Sequence, residues 1–294
     1  MLEGRIAIVT GAASGLGRSH AKFLAGQSAR VVINDIDSQA AETVAAEIAA
    51  EGGEAIACAG SVTDEAAVGD MVTRTIDRWG RVDILVNNAG ILRDKSFAKM
   101  SLDDFRLVVD VHLMGSVICT KAVWEIMRSQ NFGRIVMTTS SSGLFGNFGQ
   151  SNYGAAKMAL VGLMQTLALE GQKYNVRVNC LAPTAATAMT ADILDQTSLE
   201  LLAPEKVSPG LLLLTSDDAP TRTILCAGAG HFATSNITLT EGAFVGWGEG
   251  TGAEVVRRWT DVSARGNETV PQYGFAQAER EVASANATNS RTAA

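Results

Sequence analysis

Short β-branched runs alternate with longer stretches of helical period over most of the chain. Arg5–Thr10, Ala29–Asn34, Glu54–Cys58, Val82–Asn87, Arg134–Thr139, Val176–Ala182 and Arg222–Ala227 read as strands. Between them, stretches such as Gly17–Gly26, Ser38–Glu51 and Glu65–Trp79 place apolar residues at helical spacing. The strands are continuously apolar rather than alternating, which requires burial on both faces and therefore a parallel sheet covered by helices on each side. Strand–helix alternation with short connections predicts a doubly wound α/β fold with seven parallel strands in a single domain over residues 1–245. Such a sheet puts its ligand crevice at the carboxyl ends of the strands, near the point where strand order reverses.

Beyond about Thr240 the pattern changes. Glu241–Thr251 is rich in glycine, Glu254–Val262 fits a short helix, and Ala276–Ala294 is almost wholly small and polar. Residues 246–294 are expected to form an extension whose last segment is a tail, mobile or packed on a partner subunit. Composition narrows the function classes. In a chain of 294 residues, 47% are hydrophobic, ample for a core, so disorder is excluded. A net charge of −7 offers no electrostatic attraction for nucleic acid or an anionic membrane. No run approaches the ~18 apolar residues of a membrane span, so no membrane insertion is expected. Cys58, Cys119, Cys180 and Cys226 are far apart in apolar surroundings and form no CxxC pair, and His20, His112 and His231 have no metal-ligand spacing. A cytoplasmic, metal-free protein is the expectation.

Each candidate motif falls at a strand end. Thr10-Gly11-Ala12-Ala13-Ser14-Gly15-Leu16-Gly17 follows the first strand and opens a helix. Glycines there let the backbone approach a pyrophosphate, and the helix start offers unpaired N–H groups and a positive dipole end. Asp35 ends the second strand, where a carboxylate accepts both hydroxyls of an adenosine ribose and repels a 2′-phosphate. Asp37 is assigned instead to a helix N-terminus, and Ser14 supplies no positive charge for a 2′-phosphate, so NAD(H) is preferred over NADP(H). Asn87-Asn88-Ala89-Gly90 closes the fourth strand with residues small enough for the adenine side of a cofactor, or else forms an ordinary turn.

Tyr153 and Lys157 stand at i and i+4 on one helix face. Lowering a tyrosine pKa from ~10 by ~3 units takes about 4 kcal/mol of preferential phenolate stabilisation. An adjacent ammonium and a positive nicotinamide ring contribute it in a site shielded from water. Ser140, thirteen residues before Tyr153 and at the end of the fifth strand, is placed to hydrogen-bond a carbonyl.

With these residues the chain resembles the short-chain dehydrogenase/reductase family over about residues 4–245. The resemblance implies a Rossmann-type fold and hydride transfer between nicotinamide C4 and a carbonyl or alcohol carbon, without metal. It implies Tyr153 as general acid/base, Lys157 on the nicotinamide ribose, Ser140 on the carbonyl, and Asn88, Ala89, Gly90 and Val111 lining the cofactor. Three positions depart from the family pattern. His112 stands where an asparagine is usual and is assigned either the water of a proton relay or a buried structural role. Pro183-Thr184 replaces Pro-Gly, reducing flexibility beside the nicotinamide. Ser61-Val62 replaces an Asp-Val pair near the adenine, with Asp64 either compensating or simply charging a helix start.

Within the family, Asn34-Asp35, Gly90–Phe97, His112, Gly146–Gln150, Ala182-Pro183 and Met189-Thr190 resemble the (3R)-hydroxyacyl-CoA dehydrogenases of the multifunctional-enzyme type. That group also resembles 17β-hydroxysteroid dehydrogenases, so acyl-CoA and steroid substrates both stay open. The C-terminal Arg291-Thr292-Ala293-Ala294 is no peroxisomal address. Arg93, Lys95 and Lys99 are candidates for coenzyme A phosphates or plain solvated charges. A flap is expected at 184–204, where Ala185, Ala186, Ala188, Met189, Ile193 and Leu194 either cover substrate or pack on the domain. The helices Asn152–Glu170 and Leu102–Met127 carry more apolar surface than one sheet face can cover, which predicts a homodimer or homotetramer. Two rivals are a catalytically silent NAD-sensing protein, which needs no Ser140, Tyr153 and Lys157 together, and an NADPH-linked 3-oxoacyl-carrier-protein reductase.

Overall fold

A computed structural model describes residues 1–186 and 196–292. In chain order the elements are β1 (Ile6–Thr10), α1 (Gly15–Gly26), β2 (Arg30–Asp35), α2 (Ser38–Ala50), β3 (Glu54–Ala59), α3 (Glu65–Trp79), β4 (Ile84–Asn87), α4 (Leu102–Val109), a π-turn (Asp110–Met114) and α5 (Gly115–Gln130). They continue with β5 (Gly133–Thr138), α6 (Ser141–Phe145), α7 (Ser151–Gly171), β6 (Val176–Thr184), α8 (Gln196–Leu201), α9 (Gly210–Thr215), β7 (Ile224–Gly228) and β8 (His231–Ser235). The last three are α10 (Thr251–Arg257), α11 (Trp259–Val262) and α12 (Ala276–Thr292).

The strands form one sheet in the order β3-β2-β1-β4-β5-β6-β7-β8. β1 through β7 pair in parallel, and the reversal between β1 and β4 opens the crevice. The Rossmann-type arrangement is as expected, with one correction. The sheet has eight strands rather than seven, and β8 runs antiparallel to β7. Ala229 and Gly230, both at positive φ, make the tight two-residue turn that joins them. Phe232 lies exposed on β8, an edge strand with no continuous apolar run to betray it in sequence.

Two apolar clusters cover the two faces. One gathers Ile8, Val32, Leu85, Ile135 and Val178 of the strands with Met71 of α3, Val123 of α5 and Leu160 and Met164 of α7. The other gathers Ala7, Val31, Val86 and Leu181 with Leu24 of α1, Val44 of α2 and Leu211 and Leu214 of α9. Burial of the β1 and β5 strands on both sides explains why their sequences do not alternate. The run Leu102–Gln130 is long and apolar enough by composition to cross a membrane. In this fold Cys119, Thr120, Val123 and Met127 are buried in the body of the protein.

The chain divides into two compact units, Met1–Ser235 and the part from Asn236 onward. In the second unit Leu239 and Thr269 form an antiparallel bridge, and Arg280 donates to the carbonyls of Leu239 and Thr240. The segment from Ala276 forms the helix α12, whose small polar residues leave no apolar stripe to announce it in sequence.

Candidate active site

β1 ends at Thr10, and the chain turns through Gly11 and Gly15, both at positive φ, where a Cβ would be strained. A Cβ on Gly17 would meet the Gly11 carbonyl oxygen at 2.0 Å, so only glycine lets α1 close on the turn. Asn88, beyond the end of β4, braces it by donating its amide to the carbonyls of Thr10 at 3.0 Å and Gly11 at 3.2 Å. The Thr10 hydroxyl accepts the N–H groups of Asn88 and Ala89 in return. Ser14 precedes α1 without capping it through its side chain, which leaves the first-turn N–H groups facing the crevice mouth unpaired by that residue. Leu16 packs behind the turn against the second apolar cluster.

Asp35 ends β2 beside this turn. Its carboxylate accepts the Ala13 N–H at 3.0 Å and the Asp37 N–H at 3.2 Å, fixing both oxygens near the glycine turn. Asp37 caps α2 through the Ala40 N–H, and Asp64 caps α3 through the N–H groups of Ala66 and Ala67. Ser61 turns its hydroxyl onto Thr63, and Val62 is buried against Gly115. Val111 lies in the π-turn and packs on the first cluster. The close-packed glycines, the open helix start and the oriented carboxylate fit a dinucleotide.

Ser140 follows β5 and starts α6, its hydroxyl accepting the Ser142 N–H at 3.2 Å. Tyr153 and Lys157 project from the first turns of α7. The Ser140 hydroxyl stands near enough to the Tyr153 phenol to favour its ionised form. The Lys157 Nζ lies 5.5 Å from the Tyr153 ring centre and donates to the Thr138 carbonyl at 2.6 Å. The Tyr153 pKa is raised, first by burial and then by Asp94, against the lowering effect of Ser140. Complete burial takes Lys157 from 10.5 down to about 7.

His112 meets the Tyr153 ring edge-on at 5.1 Å. Its Nε2 lies 2.8 Å from the Ile91 carbonyl oxygen and 3.1 Å from the Ile91 nitrogen, while its buried Nδ1 has no protein partner. Burial and the neighbouring Lys157 hold the imidazole down at about 3, hence neutral at physiological pH. A Cβ on Gly90 would meet the His112 ring at 2.2 Å, so the ring can lie there only beside a glycine. The π-turn that carries His112 interrupts the α4–α5 run at the site itself, as such turns often do.

The fold thus brings Ser140, Tyr153, Lys157 and His112 together at the strand ends. Pro183 pairs with Ala227, and Thr184 with Gly228, so β6 stays in register through the departure from Pro-Gly. Of the expected flap, Ala186 donates its N–H to the Leu202 carbonyl, while Ala188, Met189, Ile193 and Leu194 lie outside the described residues. Arg93 donates to the Leu92 carbonyl, Lys95 pairs with Asp104 at 3.4 Å, and all three of Arg93, Lys95 and Lys99 are exposed.

Sequence reasoning missed Asn152. It is fully buried, accepts the Tyr153 N–H at 2.8 Å and donates to the Arg93 carbonyl at 3.1 Å. Its position immediately before the tyrosine, at the start of a helix, was the available signal. Thr138 was missed as well; its carbonyl holds Lys157, and its buried hydroxyl oxygen has no protein partner.

A family model described as short chain dehydrogenase matches residues 5–198. The chain belongs to the short chain dehydrogenase family. A short-chain type dehydrogenase/reductase of Mycobacterium tuberculosis is 48% identical over 226 residues, covering 74% of this chain and 79% of that protein. The peroxisomal multifunctional enzyme type 2 of Drosophila melanogaster is 50% identical over 216 residues, 70% of this chain. The matched region spans only 36% of that longer relative. Its full-length structure superposes with a TM-score of 0.79 at 36% identity, covering 95% of this chain and 49% of that one. A 7α-hydroxysteroid dehydrogenase complexed with NADH and 7-oxo glycochenodeoxycholic acid gives a TM-score of 0.73 at 30% identity, over 78% of this chain and 94% of that one. As a short chain dehydrogenase, the protein is an oxidoreductase of CH–OH groups that uses a nicotinamide cofactor.

Proposed function

We propose that this short chain dehydrogenase interconverts (3R)-hydroxyacyl-CoA and 3-oxoacyl-CoA with NAD(H). The observation that carries the chemistry is the grouping of Ser140, Lys157 and His112 around Tyr153. A nicotinamide, when bound, would supply or accept the hydride. Ser140 holds the carbonyl oxygen, and the Tyr153 phenol delivers a proton to it on reduction or removes the alcohol proton on oxidation. Lys157 would hold the nicotinamide ribose and, when protonated, would stabilise the phenolate. The partnerless Nδ1 of neutral His112 suits a water that passes protons toward Lys157.

Preference for NAD(H) rests on Asp35. Its carboxylate is held over the turn by two backbone N–H groups, where it would accept ribose hydroxyls and repel a 2′-phosphate. The acyl-CoA class rests on the extent of likeness to peroxisomal multifunctional enzymes type 2. A hydroxysteroid is the second reading, supported by the likeness to a hydroxysteroid dehydrogenase. We further assign the protein to the cytoplasm, consistent with four unpaired thiols, and to a homodimer or homotetramer built on the α4–α5 run and α7. Turnover of 3-hydroxyacyl-CoAs and 17β-hydroxysteroids side by side with NAD⁺ and NADP⁺ tests the reading. Faster turnover of the acyl-CoA with NAD⁺ supports it, and turnover of the steroid alone, or preference for NADP⁺, overturns it.

A further inference from the structure

The loop after β4 and the loop between α6 and α7 are laced together beside Tyr153. The Lys95 N–H donates to the Gly149 carbonyl at 2.9 Å, and Asn152 donates to the Arg93 carbonyl. Between these two ties lies a side-chain bond, from Gln150 Nε2 to Asp94 Oδ2, at 2.6 Å. The other end of the same amide, Gln150 Oε1, accepts the Ser142 hydroxyl at 2.8 Å and the Asn147 amide at 3.1 Å. Ser142 in turn donates its N–H to the Ser140 hydroxyl oxygen.

These bonds have a direction. A carboxylate only accepts, so Asp94 requires the NH₂ end of Gln150, and Oε1 then faces Ser142. The Ser142 hydroxyl is thereby committed as a donor. The same residue gives its N–H to the Ser140 oxygen, so the Gln150 contact anchors the residue that fills one lone pair of Ser140. We propose that Asp94 and Gln150 form a positioning pair that sets the orientation of Ser140 and the electrostatic environment of Tyr153. This rests on Ser140 and Tyr153 being the reacting pair.

Among the described residues, four groups bear on Tyr153: Lys157 from α7 itself, His112 from the π-turn, Ser140 from the end of β5, and Asp94 from the loop after β4. His112 is neutral, and Lys157 sits against a carbonyl. Among the described residues, Asp94 is the carboxylate that opposes phenolate formation. The cations next to it in sequence are turned to other partners, Lys95 to Asp104 and Arg93 to the Leu92 carbonyl.

Exchanging the two side chains tests the pair. Gln150→Glu sets two carboxylates against each other, whereas Asp94→Asn with Gln150→Glu restores one amide donor and one carboxylate acceptor with the ends reversed. Gln150→Glu is expected to lower kcat by about a hundredfold, as for a misplacement of ~1 Å, with KM for the cofactor little changed. The double variant is expected to recover kcat to within about tenfold. In the cofactor-free protein, absorbance titration of the phenol, taken as the difference from Tyr153→Phe, is expected to show a lower midpoint in Asp94→Asn than in the unsubstituted enzyme. An unchanged kcat in Gln150→Glu, or recovery of melting temperature without kcat in the double variant, overturns the proposal. So does an unmoved phenol midpoint in Asp94→Asn. Full activity in Tyr153→Phe would instead overturn the underlying assignment of the reacting pair.

Discussion

Tyr153 is held in a setting that favours the protonated phenol when cofactor is absent. Burial raises its pKa first, Asp94 adds to this, and the Ser140 hydroxyl only partly offsets them. Lys157, lowered to about 7 by burial, is not fully charged near neutrality on its own. The protein is therefore set up as an acid for carbonyl reduction. To act as a base in alcohol oxidation, Tyr153 needs the positive charge that an oxidised nicotinamide brings. The sign follows: kcat for oxidation should rise with pH as the phenol ionises, and kcat for reduction should fall over the same range. Profiles of both directions measure this, and an oxidation rate that falls as pH rises through neutrality would exclude Tyr153 as the base. At this scale the sequence was informative where chemistry needs a rare combination, as with Ser140, Tyr153 and Lys157. It gave Asn152 no role and Gln150 only a place in a family-like segment, because amides acquire a role only when folding decides which backbone and side-chain groups they face.

Among the elements, the two aspartates around the start of α2 separate structure from specificity. Asp35 reaches back to the glycine turn, while Asp37, two residues on, caps α2 through the Ala40 N–H. Asp37→Ala should cost about 1 kcal/mol of stability and leave the NADH-to-NADPH preference unchanged. Asp35→Asn removes the charge that repels a 2′-phosphate and should shift the preference toward NADPH. Thermal melts and kcat/KM with each cofactor measure the pair, and a preference unmoved in Asp35→Asn would sink the assignment. The parallel strands were legible because burial on two faces leaves an unmistakable apolar run, as in Ile6–Val9 and Ile135–Met137. β8, α12 and the π-turn were not. β8 is largely exposed, α12 has little apolar surface to give a period, and a π-turn adds one residue to a helix without changing its composition.

For the whole molecule, α7 poses the main question. It is apolar nearly all round, yet Met158 and Leu169 stand partly exposed, as do Leu107 and Met114 in and after α4. Residues of this kind on long surface helices suit a second copy of the chain better than water. Light scattering at micromolar concentration should give two or four times the 30.8 kDa of one chain, and particles of one chain only would count against the oligomer. Substrate class was not legible in the chain, because Arg93, Lys95 and Lys99 are exposed loop cations that suit coenzyme A phosphates and plain solvation alike. The decisive measurement is NADH oxidation by the purified enzyme with acetoacetyl-CoA and longer 3-oxoacyl-CoAs, run beside its Tyr153→Phe variant. The expected result is NADH consumption that falls by about 10²–10⁴-fold in the variant. Consumption that survives unchanged in Tyr153→Phe, or its absence with every 3-oxoacyl-CoA tried, would contradict the proposed reaction.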